Sequence, residues 1–166
     1  LPYAFAQAER ILHYLKKGPD VVDAHLLGSL RRMVATIGDL DFSASSNQPK
    51  KVIDHFCQMP GVLRIVDKGE NKATVVLQSG LQLDLLVGEP ASYGALLQHF
   101  TGSKNHNIHL RTLAEEKDLS LSERGIKHTK TDEIVPTKTE EQFYKLLNMD
   151  TPDPEIREDG GEIEAA

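Results

Sequence analysis

Apolar positions recur at three- and four-residue steps across residues 3–16, where Phe5, Ala8, Ile11, Leu12 and Leu15 share one face before Lys16, Lys17 and Gly18 close the run. Such spacing predicts an amphipathic helix. A second stripe, Val52, Ile53, Phe56 and Cys57, predicts another over 49–59. Between them lies an apolar run, 21–27, that ends at Gly28-Ser29. A short helix-compatible stretch follows, and a further run opens with Gly38-Asp39-Leu40-Asp41. Strand-like runs occupy 62–66, 73–77 and 81–87, divided by Gly-Glu-Asn and Ser-Gly turn signals, which predicts a meander of three strands. Beyond Pro90 helices are predicted over 93–100 and 105–117, with Thr101-Gly102-Ser103 as the break between them. A hairpin is expected around Gly125, then a last helix over 140–147 with Phe143, Leu146 and Leu147 inward. No internal repeat is present.

Composition changes this picture little. At 166 residues the chain is long enough for one good-sized domain or a domain with a small lobe. A single cysteine, Cys57, excludes an internal disulfide framework and a four-cysteine zinc site, and fits a reducing, cytoplasmic setting. No apolar run approaches a membrane span, and the start, Leu-Pro-Tyr-Ala, lacks the regions of a signal peptide. The missing initiator Met points to an excised fragment. Charge is informative only once located. Of 25 acids and 19 bases, seven and one fall in residues 150–166, leaving a neutral body of 18 and 18. That tail, with Pro152, Pro154, Gly160 and Gly161, reads as a solvated linker.

The chemistry concentrates between 28 and 41. A glycine and a hydroxyl opening a helix offer free N–H groups to an anion, and Arg31-Arg32 add planar donors that suit phosphate. In a strand Asp39 and Asp41 project from one face while Leu40 turns to the other. Each feature alone has a plainer reading: Gly-Ser as a turn and helix cap, Asp-x-Asp as a solvated strand face. Their fixed order, with Asp84 downstream between Leu83 and Leu85, favours the chemical one. If Asp84's strand lies beside that of Asp39 and Asp41, the neighbouring-strand spacing of roughly 4.8 Å gathers three carboxylates, and such a cluster needs cations. Cys57 and His55 read as core residues. His106 and His109 have an i, i+3 spacing that could grip a metal, yet with His99 they lack a further ligand type, so zinc is rejected. Asn107 and Arg111 lie one turn apart and could reach one ligand, or simply line a solvated helix face.

Gly28-Ser29-Leu30-Arg31-Arg32 followed by Gly38-Asp39-Leu40-Asp41 resembles the nucleotidyltransferase signature of family X DNA polymerases, the family of DNA polymerase beta. The similarity continues through Leu83-Asp84-Leu85, Phe100-Thr101-Gly102-Ser103-Lys104, His106-Asn107 and Leu110-Arg111, and is closest to bacterial members that carry a C-terminal PHP domain. It implies an α+β fold: a nucleotidyltransferase palm over 1–98, with a mixed sheet and helices on one side, a helical and hairpin thumb over 99–150, and an acidic linker over 151–166 toward a PHP domain. The implied reaction is attack of a primer 3′-hydroxyl on the α-phosphate of a dNTP, with two Mg²⁺ or Mn²⁺ ions about 3.5–4 Å apart. By the resemblance Asp39 and Asp41 bridge both ions, while Asp84 serves the one that activates the primer hydroxyl. Gly28, Ser29 and Arg32 correspond to triphosphate-binding positions, and Gly38 lets the backbone come close. Phe100, Thr101 and Gly102 lie along the nucleotide sugar, Asn107 contacts the base edge in the minor groove, and His99, Lys104 and Arg111 contact DNA, Arg111 on the template strand. Three positions depart from the family pattern: Ala35 replaces a glutamate, Leu86 an arginine, and His99 a tyrosine.

These residues imply a gap-filling DNA polymerase core acting in repair on gapped or primed DNA. It is expected to be monomeric, bacterial, cytoplasmic and nucleoid-associated, and away from membranes. Two other classes compete. One is a nucleotidyltransferase without a template; the other is a DNA-binding scaffold for the attached PHP nuclease. Asn107 and Arg111 favour a templated reaction, and the intact aspartates disfavour a scaffold.

Overall fold

The structure is a computed structural model that describes residues 2–32 and 39–166, with the side chains of 2–5, 29 and 30 outside the description. Its contacts divide the chain into two compact units: residues 1–30 with 34–90, and residues 31–33 with 91–166.

The first unit is built on a five-stranded mixed sheet in the order β1-β2-β5-β4-β3. Its strands are β1 (Asp23–Leu26), β2 (Asp39–Ser45), β3 (Val62–Lys68), β4 (Lys72–Leu77) and β5 (Gln82–Gly88). The expected meander forms, since β3, β4 and β5 pair antiparallel in sequence order. The alternation explains which face is buried. Leu40, Phe42, Ala73, Val75, Leu83 and Leu85 point one way and join Ala8, Ile11 and Leu15 of α1 (Pro2–Lys16) and Val52, Ile53 and Phe56 of α3 (Pro49–Cys57) in one core. The polar residues between them leave by the opposite face. Cys57 is buried, and burial raises its thiol pKa, as suits a core residue. His55 stacks on Tyr14 with ring centroids 4.0 Å apart, and its Nε2 lies 2.9 Å from the Tyr14 carbonyl. Edge strand β3 leaves Leu63, Ile65 and Val66 exposed.

The second unit packs α4 (Tyr93–Thr101), α5 (Lys104–Glu116) and α6 (Glu140–Leu146) with a small sheet of β6 (Leu119–Ser122), β7 (Gly125–His128) and β8 (Ile134–Val135). Ser103 caps α5 by accepting from the His106 N–H, and Thr139 caps α6 by accepting from that of Gln142. Gly94 is required by contact, because a Cβ there would sit 2.2 Å from the Thr139 backbone. A boundary between 98 and 99 would cut α4, which lies whole in this unit. Leu146 is 46% exposed rather than inward, since Phe143, Tyr144 and Leu147 make the buried stripe and 146 falls outside it.

Residues 151–166 are not a solvated linker in this structure. Pro152, Arg157, Glu162 and Ile163 are buried, and the segment ends in a helical turn, α7 (Glu162–Ala165). Four of its six acids have side-chain partners. Glu158 pairs with Arg32, and His109 with Asp159 at 2.7 Å and with Glu164 at 3.4 Å. Glu162 accepts from the backbone N–H groups of Asp159 and Gly160. Among the described residues no helix is long and apolar enough to cross a membrane.

Candidate active site

Three strands bring the reactive side chains of the first unit into one row. β2 runs parallel to β5 with Asp41 opposite Asp84 and Asp39 opposite Gln82, while β4 runs antiparallel to β5 with Thr74 opposite Asp84. Leu40, Leu83 and Val75 turn into the core, so Asp41, Asp84 and Thr74 share the other face. Oδ1 of Asp84 accepts a 2.5 Å hydrogen bond from the Thr74 hydroxyl, and Oδ2 a longer one, 3.4 Å, from the Gln82 amide. The outer edge of Asp41 is open to solvent, yet the protein packed around it weakens its hydration. This burial, followed by the charge of Asp84, a hydrogen bond to Asp84 and the charge of Asp39, pushes the Asp41 pKa up to about 6.

The turn carrying Gly28 lies against the same row. The Leu27 N–H donates to the Asp41 carbonyl at 2.8 Å, and Gly28 then takes a left-handed conformation, φ 61°, to open α2 (Gly28–Arg31). A Cβ on Gly28 would press to 3.3 Å from Asp41 Oδ2, so the position needs glycine for its conformation and for space.

Arg31 and Arg32 belong by their contacts to the second unit. Arg31 meets Glu140 in a bidentate pair at 2.6 and 2.9 Å and also donates to the Thr101 hydroxyl. Arg157, 1% exposed, binds the other side of Glu140 at 2.6 Å. Burial raises the Glu140 pKa, but the two guanidinium groups outweigh it and hold the carboxyl below its ordinary range. Arg32 donates to the Thr101 carbonyl at 2.7 Å and pairs with Glu158 at 2.5 Å; its guanidinium would lie 3.2 Å from a Cβ on Gly102. Arg32, Thr101 and Gly102 therefore form one cluster.

Asn107 and Arg111, one turn apart on α5, face different surroundings. Asn107 is 8% exposed, with Oδ1 accepting from Gln98 and Nδ2 donating to the His99 carbonyl, both at 2.8 Å. Arg111 and Lys104 are exposed, and His99 packs edge-on against the partly exposed Phe100. His106 is fully buried between Tyr144 and Glu162, each 2.8 Å from a ring nitrogen.

Residues 96–158 match the family model of the DNA polymerase beta thumb. The chain is 32% identical over 164 residues to the DNA polymerase/3′-5′ exonuclease PolX of Bacillus subtilis (strain 168), a match that covers 98% of this chain and 29% of that protein. These likenesses support a fragment of a family X DNA polymerase. The chain is also similar to DNA polymerase lambda of Rattus norvegicus, 28% identical over 144 residues, covering 80% of this chain and 22% of the relative. The chain thus spans less than a third of the length of either relative.

The sequence-derived residues fall into two groups. Asp39, Asp41, Asp84 and Gly28 lie in the first unit; Arg32, His99, Phe100, Thr101, Gly102, Lys104, Asn107 and Arg111 lie in the second. The side chain of Ser29 and all of Gly38 lie outside the described residues. The structure brings Asp41 and Asp84 together. Asp39 adds its charge to Asp41, but among the described residues no three acidic, histidine or cysteine side chains come close enough to hold one ion. The donor set still fits a hard divalent cation, because oxygen ligands suit it and its charge would relieve the repulsion that lifts Asp41. Sequence reasoning missed Thr74, Gln82, Glu140, Arg157 and Glu158. Only Gln82 carries a readable signal: two residues before Asp84 on the same strand, it shares that face.

Proposed function

We propose that this chain is the polymerising portion of a DNA polymerase that fills gaps or extends primed DNA in repair, transferring a nucleotide from dNTP to a primer 3′-hydroxyl. The observation that carries the reading is the register of Asp41 opposite Asp84 on adjacent parallel strands, with the Asp41 carboxyl already disfavoured as an anion. Asp41 and Asp84, with Asp39 beside them, would hold Mg²⁺ or Mn²⁺. Bound there, two such ions supply Lewis-acid activation of the primer hydroxyl and neutralise charge on the leaving phosphate oxygens.

The chain's own groups do the rest. Asp84 is the carboxylate assigned to take the primer hydroxyl's proton. Gly28 and Ser29 offer backbone donors, and Arg32 offers its guanidinium, to the triphosphate; Arg32 must then give up Glu158. Gly38 lies in the same binding stretch. Phe100, Thr101 and Gly102 border the sugar, while His99, Lys104 and Arg111 meet DNA. Asn107 reads the minor-groove edge after releasing Gln98 or the His99 carbonyl. Minor-groove acceptors occur on every base pair, so that contact tests pair shape without selecting sequence. In the same reading the polypeptide continues into a PHP domain and works as a monomer.

The buried amide of Asn107 favours a second reading, nucleotide transfer without a template, because a base-edge reader would need its amide free. Incorporation of labelled dNTP by the full-length protein, with and without template, decides between them. Template-dependent incorporation that follows base pairing is expected. Equal incorporation onto single strands would move the assignment to the untemplated class.

A further inference from the structure

The carboxylate row has a fourth member, which is uncharged. Thr74 is 8% exposed, stands opposite Asp84 in the β4–β5 register, and spends its one hydroxyl proton on Asp84 Oδ1 at 2.5 Å. We propose that Thr74 is the positioning residue of the reaction: it holds Asp84 in the orientation from which Oδ2 serves the cation and the primer hydroxyl. This deepens the function proposed above and rests on it.

The chemistry favours an anchor of this kind. An aspartate side chain turns about two bonds, and alone beside Asp41 the Asp84 carboxylate is driven away by like charge. One short hydrogen bond to a charged acceptor fixes Oδ1. Oδ2 has the longer contact from Gln82, 3.4 Å, which leaves it the less tightly held of the two oxygens for the reaction. Threonine suits the task because its branched side chain has few rotamers and its backbone is held by ladder bonds on both sides, to β3 and to β5. Thr74 touches no reacting atom in this account; it acts only through Asp84.

The test compares Thr74→Val, which keeps the shape and loses the proton donor, with Thr74→Ser, which keeps the donor. In the full-length protein, single-turnover insertion on a gapped duplex should slow by about 10–100-fold for Thr74→Val, with the apparent dNTP dissociation constant unchanged. Thr74→Ser should stay within a few-fold of the parent. Mn²⁺ binding to the 166-residue chain, followed by electron paramagnetic resonance without DNA or nucleotide, should weaken several-fold in the valine variant and recover in the serine variant. Circular dichroism melting checks that both variants fold; should valine unfold the chain, Thr74→Cys is compared in its place. Parent-like rate and Mn²⁺ affinity in the folded variant would overturn the positioning role. A parent chain that binds no Mn²⁺, or a full-length Asp84→Asn variant that polymerises normally, would instead overturn the site assignment on which the role depends.

Discussion

At the scale of single residues, neighbours in one strand should respond to mutation in opposite directions. Leu83 is fully buried, and Leu83→Ala should cost about 2–5 kcal/mol. Asp84→Ala relieves repulsion on Asp41 and should be neutral or mildly stabilising in urea melts without divalent ions. Asp41 itself links stability to pH. The folded chain keeps its proton up to about pH 6, whereas the unfolded chain releases it near the ordinary value of 3.8. Between those values the folded state binds more protons, so its stability falls as pH rises. Urea melts of parent and Asp41→Asn from pH 4 to 7 should therefore diverge across that window, the parent losing ground. A constant difference would remove the assigned shift. Arg111 is exposed on α5, and its proposed template contact predicts that Arg111→Ala lowers matched insertion by one to two decades and mismatched insertion by less. Equal losses would leave it a backbone contact.

At the scale of elements, the C-terminal segment behaves as part of the second unit. Arg157→Ala would leave Glu140 with Arg31 alone, and the loss of a buried ion-pair partner should cost about 3 kcal/mol in chemical denaturation. The segment should also loosen in acid. Burial lowers the pKa of His106 even though Glu162 pulls it upward, so the unfolded state binds the extra proton and stability drops as pH falls below the ordinary histidine value. Hydrogen bonds from His106 and the backbone outweigh desolvation at Glu162 and lower its pKa, which adds a loss in the same direction at lower pH. His109 is raised by Asp159 and works the other way, but that pair is solvent-screened and weak. Hydrogen exchange over residues 157–166 should accelerate from pH 7 to pH 5 beyond the intrinsic rate change; unchanged protection would contradict the His106 assignment.

The same segment marks how far the sequence is legible. Elements with a strong period can be read directly: the stripe of Val52, Ile53 and Phe56 is a helix, and the Leu83-Asp84-Leu85 alternation is a strand with its acid on the open face. Asp39, Asp41 and Asp84 are readable as candidates for the same reason. The tail is not, because a count of charges records no partners: Glu158, Asp159 and Glu162 look alike whether water or Arg32, His109 and His106 faces them. Thr74 is hidden differently. Its role comes from the β4–β5 register, and no local pattern fixes which residue of one strand meets Asp84 on the next.

At the scale of the whole molecule, the body carries no net charge and Arg32 is paired with Glu158 of the acidic segment, so no net positive charge is offered to phosphates. The 166-residue chain alone should bind DNA weakly, with a shallow dependence of log affinity on log salt. Tight binding at physiological salt would contradict this. The central claim is that the Asp41–Asp84 row is where nucleotide transfer happens. It is tested most directly by single-nucleotide insertion on a gapped duplex, comparing the full-length parent with variants that each replace Asp39, Asp41 or Asp84 by Ala. The account predicts that each substitution abolishes insertion while the variants, without divalent ions, melt at or somewhat above the parent; a folded Asp84→Ala protein that inserts the templated nucleotide at near the parent rate would contradict it.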